Sequence, residues 1–237
     1  MDKVKAYQKL VEKRKNLDLE GLTGNKLINP SKTPYDSDHL DNWATWQGNL
    51  NAKILLIGQD FADYQTFIDT EGKIEPEDGG YKYPSNKYLK ELFVSASIGI
   101  EDIGHPNTPV PKELFFTNAI LGLKTEGGMT GKILNEWIGL FSMDFIKPLI
   151  GIIEPKIIIT LGNVPFYTIY EIFKESGVFE NKGIKKSYLL GKKLENSPYQ
   201  LKENMWYFPM FHCGGLGIRN RSFDKQKEDW AEIKRYL

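Results

Sequence analysis

Asp60, Asn118 and His212 are the side chains in this sequence whose types best suit chemistry at a shared centre. A carboxylate with an ordinary pKa near 3.9 is ionised at neutral pH and can orient water or balance positive charge. A carboxamide offers one acceptor and two donors in a fixed fan, and an imidazole can donate or accept near neutrality. Each of the three stands at or just past the end of a short apolar run. Lys-Ile-Leu-Leu-Ile at 53–57 leads into Gly58-Gln59-Asp60, and Leu-Phe-Phe-Thr at 114–117 leads into Asn118. Trp-Tyr-Phe-Pro-Met-Phe at 206–211 leads into His212. A fourth run, Lys-Ile-Ile-Ile-Thr at 156–160, ends in Leu161-Gly162-Asn163. Taken singly, Asp60 could cap a turn, Asn118 could form one, and His212 could be a satisfied half-buried ring. Their convergence on run ends favours a site.

The elements that must position these groups follow from periodicity. Short apolar runs ending in polar or glycine residues predict strands buried on both faces. Between them lie helical patterns: a helix opening near Pro84, with Tyr88, Leu89, Leu92 and Phe93 on one face; 137–153, interrupted at Pro148; 164–173; and 223–236. Strands separated by helices predict βαβ crossovers and a mainly parallel four-stranded sheet in a three-layer α/β/α sandwich. In such a sheet, ligands bind beyond the carboxyl ends of the strands. Residues 2–16 predict a helix with Val4, Tyr7, Leu10 and Val11 inward, and 17–51 an ordered lead-in loop with one helical turn, its Trp43 and Trp46 packed. Residues 61–83 read as a long loop, and Tyr188-Leu189-Leu190 as a minor extra strand.

Composition narrows the class. With 31 Lys plus Arg against 31 Asp plus Glu, the net charge is zero, so nucleic-acid contact requires a local patch. One cysteine, Cys213, and three histidines, His39, His105 and His212, exclude an internal disulfide and offer no zinc-ligand set. No apolar run approaches the roughly 20 residues needed to span a bilayer, and residues 1–16 lack the apolar stretch of a secretory signal. A cytoplasmic monomer without membrane attachment, metal or cofactor is the expectation. Gly58 is followed by Gln-Asp-Phe, so the dinucleotide fingerprint is absent. The stretch 127–132 lacks the first glycine of a phosphate loop, and no Gly-x-Ser-x-Gly elbow occurs. Cys213 adjoins His212, but neighbouring side chains on an extended segment diverge, which disfavours a Cys–His dyad.

In this order and at these strand ends, the motifs resemble those of the uracil-DNA glycosylase superfamily, from about residue 53 to the last helix. Gly58-Gln59-Asp60 is similar to the opening of its first motif, Gly-Gln-Asp-Pro-Tyr in the most familiar branch. Phe116-Thr117-Asn118-Ala119 resembles the strand end whose asparagine reads the base. The run 155–162 is similar to the third strand and its Leu-Gly turn. Phe211-His212, with the glycine-rich stretch and Arg219-Asn220-Arg221, resembles the second motif, normally His-Pro-Ser. Phe61-Ala62 stands in place of Pro-Tyr and Cys-Gly-Gly in place of Pro-Ser, which leaves base specificity open. The iron–sulfur branches use four cysteines, so one cysteine implies no cluster.

The resemblance implies one glycosylase domain over 1–237, with 1–50 as a helical and loop extension. It also implies removal of uracil, or a related deaminated base, from DNA to leave an abasic site for base excision repair. Asp60 would be the anion beside the sugar and His212 the donor to uracil O2. Asn118 would read N3–H and O4, and Gln59 and Phe61 would lie at the base. Tyr81 would stack on the flipped base, with Tyr83 or Phe61 as alternatives. Leu216 or Ile218 would wedge into the vacated stack, and Arg219 and Arg221 would meet phosphate. Lys182, Lys185, Lys186, Lys192 and Lys193 read as a solvated loop. DNA is the expected partner, with no obligate protein partner. The competing expectations are a non-catalytic nucleic-acid-binding protein of the same fold, and an enzyme acting on free nucleosides or nucleotides.

Overall fold

The computed structural model describes residues 2–42, 46–72, 84–99, 113–127, 132–179 and 198–237. In chain order, the first part contains α1 (Lys3–Lys15), α2 (Leu19–Thr23), β1 (Leu27–Ile28), β2 (Ile54–Gly58) and α3 (Tyr64–Asp69). Then come α4 (Pro84–Ser95), β3 (Leu114–Asn118), β4 (Leu123–Lys124), α5 (Asn135–Phe141) and α6 (Lys147–Ile153). The chain continues through β5 (Ile157–Leu161), α7 (Asn163–Phe173), β6 (Tyr199–Lys202) and β7 (Met205–Met210). It closes with α8 (Gly215–Asn220) and α9 (Phe223–Ala231).

The central sheet runs β3-β2-β5-β7-β6, with the first four strands parallel and β6 antiparallel to β7. Among the described residues the sheet therefore has five strands, not the four expected. The fifth was hidden in four residues, Tyr199–Lys202, whose alternation of buried Tyr199 and Leu201 with exposed Gln200 and Lys202 is too short to stand out. The expected strand at Tyr188-Leu189-Leu190 lies outside the described residues.

Parallel strands need covered faces, and the side chains show both covers. Leu55, Ile57, Phe115, Ile158 and Tyr207 join one apolar cluster, with residues of α1, α5, α6 and α7. Ile54, Leu56, Phe116, Ile159 and Phe208 join a second, with residues of α4 and α9. Alternate residues of one strand thus feed opposite cores, which is consistent with a three-layer α/β/α sandwich. No helix among the described residues is long and apolar enough to cross a membrane.

Local corrections have local causes. The helix expected at 137–153 starts at Asn135 and widens into a π turn over Ser142–Ile146 before α6. Pro148 has no N–H and its ring would clash with the carbonyl four residues back, Asp144, which the wide turn relieves. Lys13 Nζ donates to that carbonyl (3.4 Å) and to the Asp144 carboxylate (2.6 Å). In α1, Asp2 caps Val4 and Lys5, but Val4 is 57% exposed and Arg14 takes the inward place at 1%. Arg14 is buried because Asp36 (2.6 Å) and the carbonyls of Ser37 (3.0 Å) and His39 (2.8 Å) satisfy its guanidinium. The region read as a lead-in loop also holds β1, which pairs antiparallel with β4 through Leu27↔Lys124 and Ile28↔Leu123. The region read as a long loop holds α3, whose first turn is capped by Asp63 through Thr66 N–H (2.9 Å).

Candidate active site at the carboxyl edge of the sheet

The four parallel strands end side by side, and so do their polar termini. Across the sheet from β3 to β7 the chain presents Asn118, then Gly58-Gln59-Asp60, then Gly162-Asn163, then His212 after Phe211. Neighbouring strands are about 4.8 Å apart, so Asn118 and the Asp60 turn are adjacent and His212 lies two strands further on.

Asn118 is the register partner of Gly58 and is 3% exposed. Its backbone N–H donates to Asp41 Oδ2 (2.7 Å), a buried carboxylate from the N-terminal segment. Its side-chain Nδ2 is buried without a hydrogen-bond partner among the described residues. A buried amide donor left unmatched costs about 1–3 kcal/mol, a cost that a ligand or water accepting from it would relieve. Beyond Asn118 the chain runs beside the Asp60 turn: Ala119 N–H donates to Gly58 O (2.9 Å), Ile120 N–H to Gln59 O (3.0 Å) and Lys124 N–H to Ala62 O (3.4 Å).

That alignment brings in a residue the sequence did not single out. Lys124 Nζ lies 2.6 Å from Asp60 Oδ2, with the two side chains 2% and 6% exposed. Gln59 Nε2 donates to the other carboxylate oxygen (3.3 Å). Burial raises the Asp60 pKa above its usual value, and Lys124 and Gln59 oppose that rise. The available signal was an apolar run, Ala119 to Leu123, closing on a lysine immediately after the strand-end asparagine. Asp41, by contrast, had no distinguishing pattern.

His212 sits at the far strand end with its surface exposed, while the protein around its ring lowers the imidazole pKa by desolvation. Its Nδ1 accepts from Gly214 N–H (2.9 Å), so the neutral ring carries its proton on Nε2. Gly214 is required there: a Cβ would fall 2.9 Å from Nδ1 and 3.0 Å from Ser85 Oγ. Cys213 is buried, its Sγ donating to Ser85 O (3.2 Å), and burial pushes its thiol up to about 12.

Between them, Gly162 adopts φ +95°, which lets the chain turn directly from β5 into α7. Asn163, at the start of α7, has a buried Oδ1 without a hydrogen-bond partner among the described residues. Phe61 is 8% exposed and packs edge-on against Phe67, with ring centroids 4.9 Å apart. Leu216 on α8 is 69% exposed, and Arg219 is exposed beside it. Arg221 is engaged within the protein, paired with Asp229 through both Nε and NH2. Tyr81, Tyr83 and the lysines at 182, 185, 186, 192 and 193 lie outside the described residues. Among the described residues no group of three or more His, Cys, Asp or Glu side chains could hold a metal ion. No protein-family model matches the chain, and no curated protein matches it.

Proposed function

We propose that the protein is a monofunctional DNA glycosylase that hydrolyses the N-glycosidic bond of uracil, or a related deaminated base, in DNA. The observation that carries this reading is the meeting of Asp60 and Asn118 at adjoining strand ends, with Asn118 Nδ2 buried and unmatched. The heterolysis sends the C1′–N electron pair to the base and leaves an oxocarbenium-like sugar. Asp60 balances that cation and takes the proton of the water that attacks C1′. Asn118 offers Nδ2–H to uracil O4 and Oδ1 to N3–H, whereas cytosine presents the opposite pattern. His212, neutral with its proton on Nε2, donates to the O2 on which negative charge grows. Leu216 is the side chain positioned to enter the vacated stack, and Arg219 the one available for phosphate. A positioned base contributes about 10²–10⁴-fold, so charge stabilisation by the rest of the site must supply the remainder.

A second reading draws on the salt bridge. An Asp60 balanced by Lys124 exerts a weaker field on a sugar cation, as in a nucleic-acid-binding protein that uses the frame without the chemistry. Incubating the protein with a uracil-containing oligonucleotide, then with alkali, separates the two. Strand breakage at uracil supports the glycosylase, tight binding without breakage supports the binder, and base release from free nucleosides alone overturns both.

A further inference from the structure

Lys124 is a buried cation in contact with Asp60, and the chemistry proposed above assigns it no role. It is placed there by pairing on two sides. Its backbone partners Leu27 of β1 in the small antiparallel sheet, and it bridges Asp63 on the loop that follows Asp60. Gly122, two residues earlier, admits Leu19 and Leu27 so closely that a Cβ would fall 2.9 Å from Leu19 Cδ1. The N-terminal segment thus builds the strand that aims this lysine. We propose that Lys124 is a positioning residue that clamps Asp60 at the end of β2 and keeps its carboxylate ionised for water activation.

The physical case is the 2.6 Å contact between two side chains that are each at most 6% exposed. A carboxylate that deep would ordinarily take up a proton unless a cation answered it. Among the described residues, the groups facing Asp60 are the Lys124 ammonium from β4 and the Gln59 amide from its own turn. Nearby Asp63 directs its carboxylate to Thr66 N–H, Asp41 is engaged with Asn118 N–H, and Arg14 with Asp36. Lys124 is therefore the cation in contact. Its side chain is 2% exposed and its ammonium lies against the carboxylate, which fits action through Asp60 rather than on the sugar. The catalytic consequence rests on the glycosylase reading; the electrostatic one does not.

Two readouts on the full-length protein test it. In single-turnover excision from a uracil-containing oligonucleotide, Lys124→Met is expected to move the acid limb of the pH profile upward by about one to three units. Its rate should then fall below wild type over the pH range that the shifted limb crosses and recover towards it at higher pH, with Lys124→Arg near wild type throughout. Carbon-13 NMR of the Asp60 carboxyl should show the same upward shift in Lys124→Met. Should that variant fail to fold, the wild-type Lys124 ammonium resonance must move as Asp60 titrates. An unshifted Asp60 titration in Lys124→Met, or an ammonium indifferent to Asp60, overturns the proposal. A borohydride-trapped covalent adduct between Lys124 and DNA would also overturn it, since the lysine would then be a nucleophile. Absence of excision in wild type would sink the glycosylase reading alone, because the NMR titration still decides what Lys124 does to Asp60.

Discussion

Gly58 and Asn118 face one another in register on adjacent parallel strands, and a Cβ on Gly58 would lie 2.5 Å from Asn118 Oδ1. The missing side chain at one strand end is the space that the amide of the other occupies. Gly58→Ala should displace the Asn118 amide without unfolding the protein. We expect excision of uracil to fall while affinity for undamaged DNA stays the same, measured by single-turnover kinetics and by fluorescence anisotropy. Unchanged excision would mean that the amide does not read the base.

Asn118→Asp replaces the unmatched Nδ2 donor with an acceptor at the same place. Selectivity should relax toward cytosine, whose exocyclic amine donates where uracil O4 accepts. Competition between uracil- and cytosine-containing strands measures it; clean uracil preference in the variant would assign Asn118 a structural role.

Asp60→Asn should lower base release by about 10²–10⁴-fold with DNA binding retained. It should also destabilise the fold by about 3–5 kcal/mol, because it leaves the Lys124 ammonium buried without its counter-charge. Denaturant unfolding reports the second effect independently of the first. Wild-type excision rates in this variant would remove Asp60 from the mechanism.

His212 should remain neutral through pH 7 and titrate below the usual imidazole value of about 6.5. Nitrogen-15 NMR should find the proton on Nε2, as the Gly214 N–H to Nδ1 bond requires. The sign for stability follows. Between the lowered native value and the unfolded value the unfolded chain binds more protons, so this group's contribution is present above the unfolded pKa and fades as pH falls.

Cys213, with a thiol pushed up to about 12, should ignore a thiol reagent at pH 8 in the native protein and react on unfolding. Rapid native labelling would show that the 212–214 turn opens, and with it the seat of His212.

The strand ends were legible in the sequence because a parallel strand buried on both faces is a continuous apolar run, and its polar successor stands out. The runs at 53–57, 114–117 and 156–160 each fall within one residue of the strands found. Tyr199–Lys202 was not legible, since two buried and two exposed residues form no pattern long enough to read. Lys124 and Asp41 were missed for a different reason. Their roles come from partners 64 and 77 positions away, and only tertiary pairing makes a lysine at the end of an apolar run a neighbour of Asp60. Arg14 shows the same limit: helical period marked the inward face of α1, but the acceptors that let a guanidinium sit there come from 36–39.

The brace from Asp41 to the Asn118 amide has a practical corollary for anyone trimming the molecule. A version started just before the first central strand would keep the whole motif set yet lose the oxygen beneath Asn118, the tyrosine ring at position 7 that rests edge-on against Phe115, and the ledge under Lys124. Such a shortened chain would own every diagnostic residue and still present them loosely.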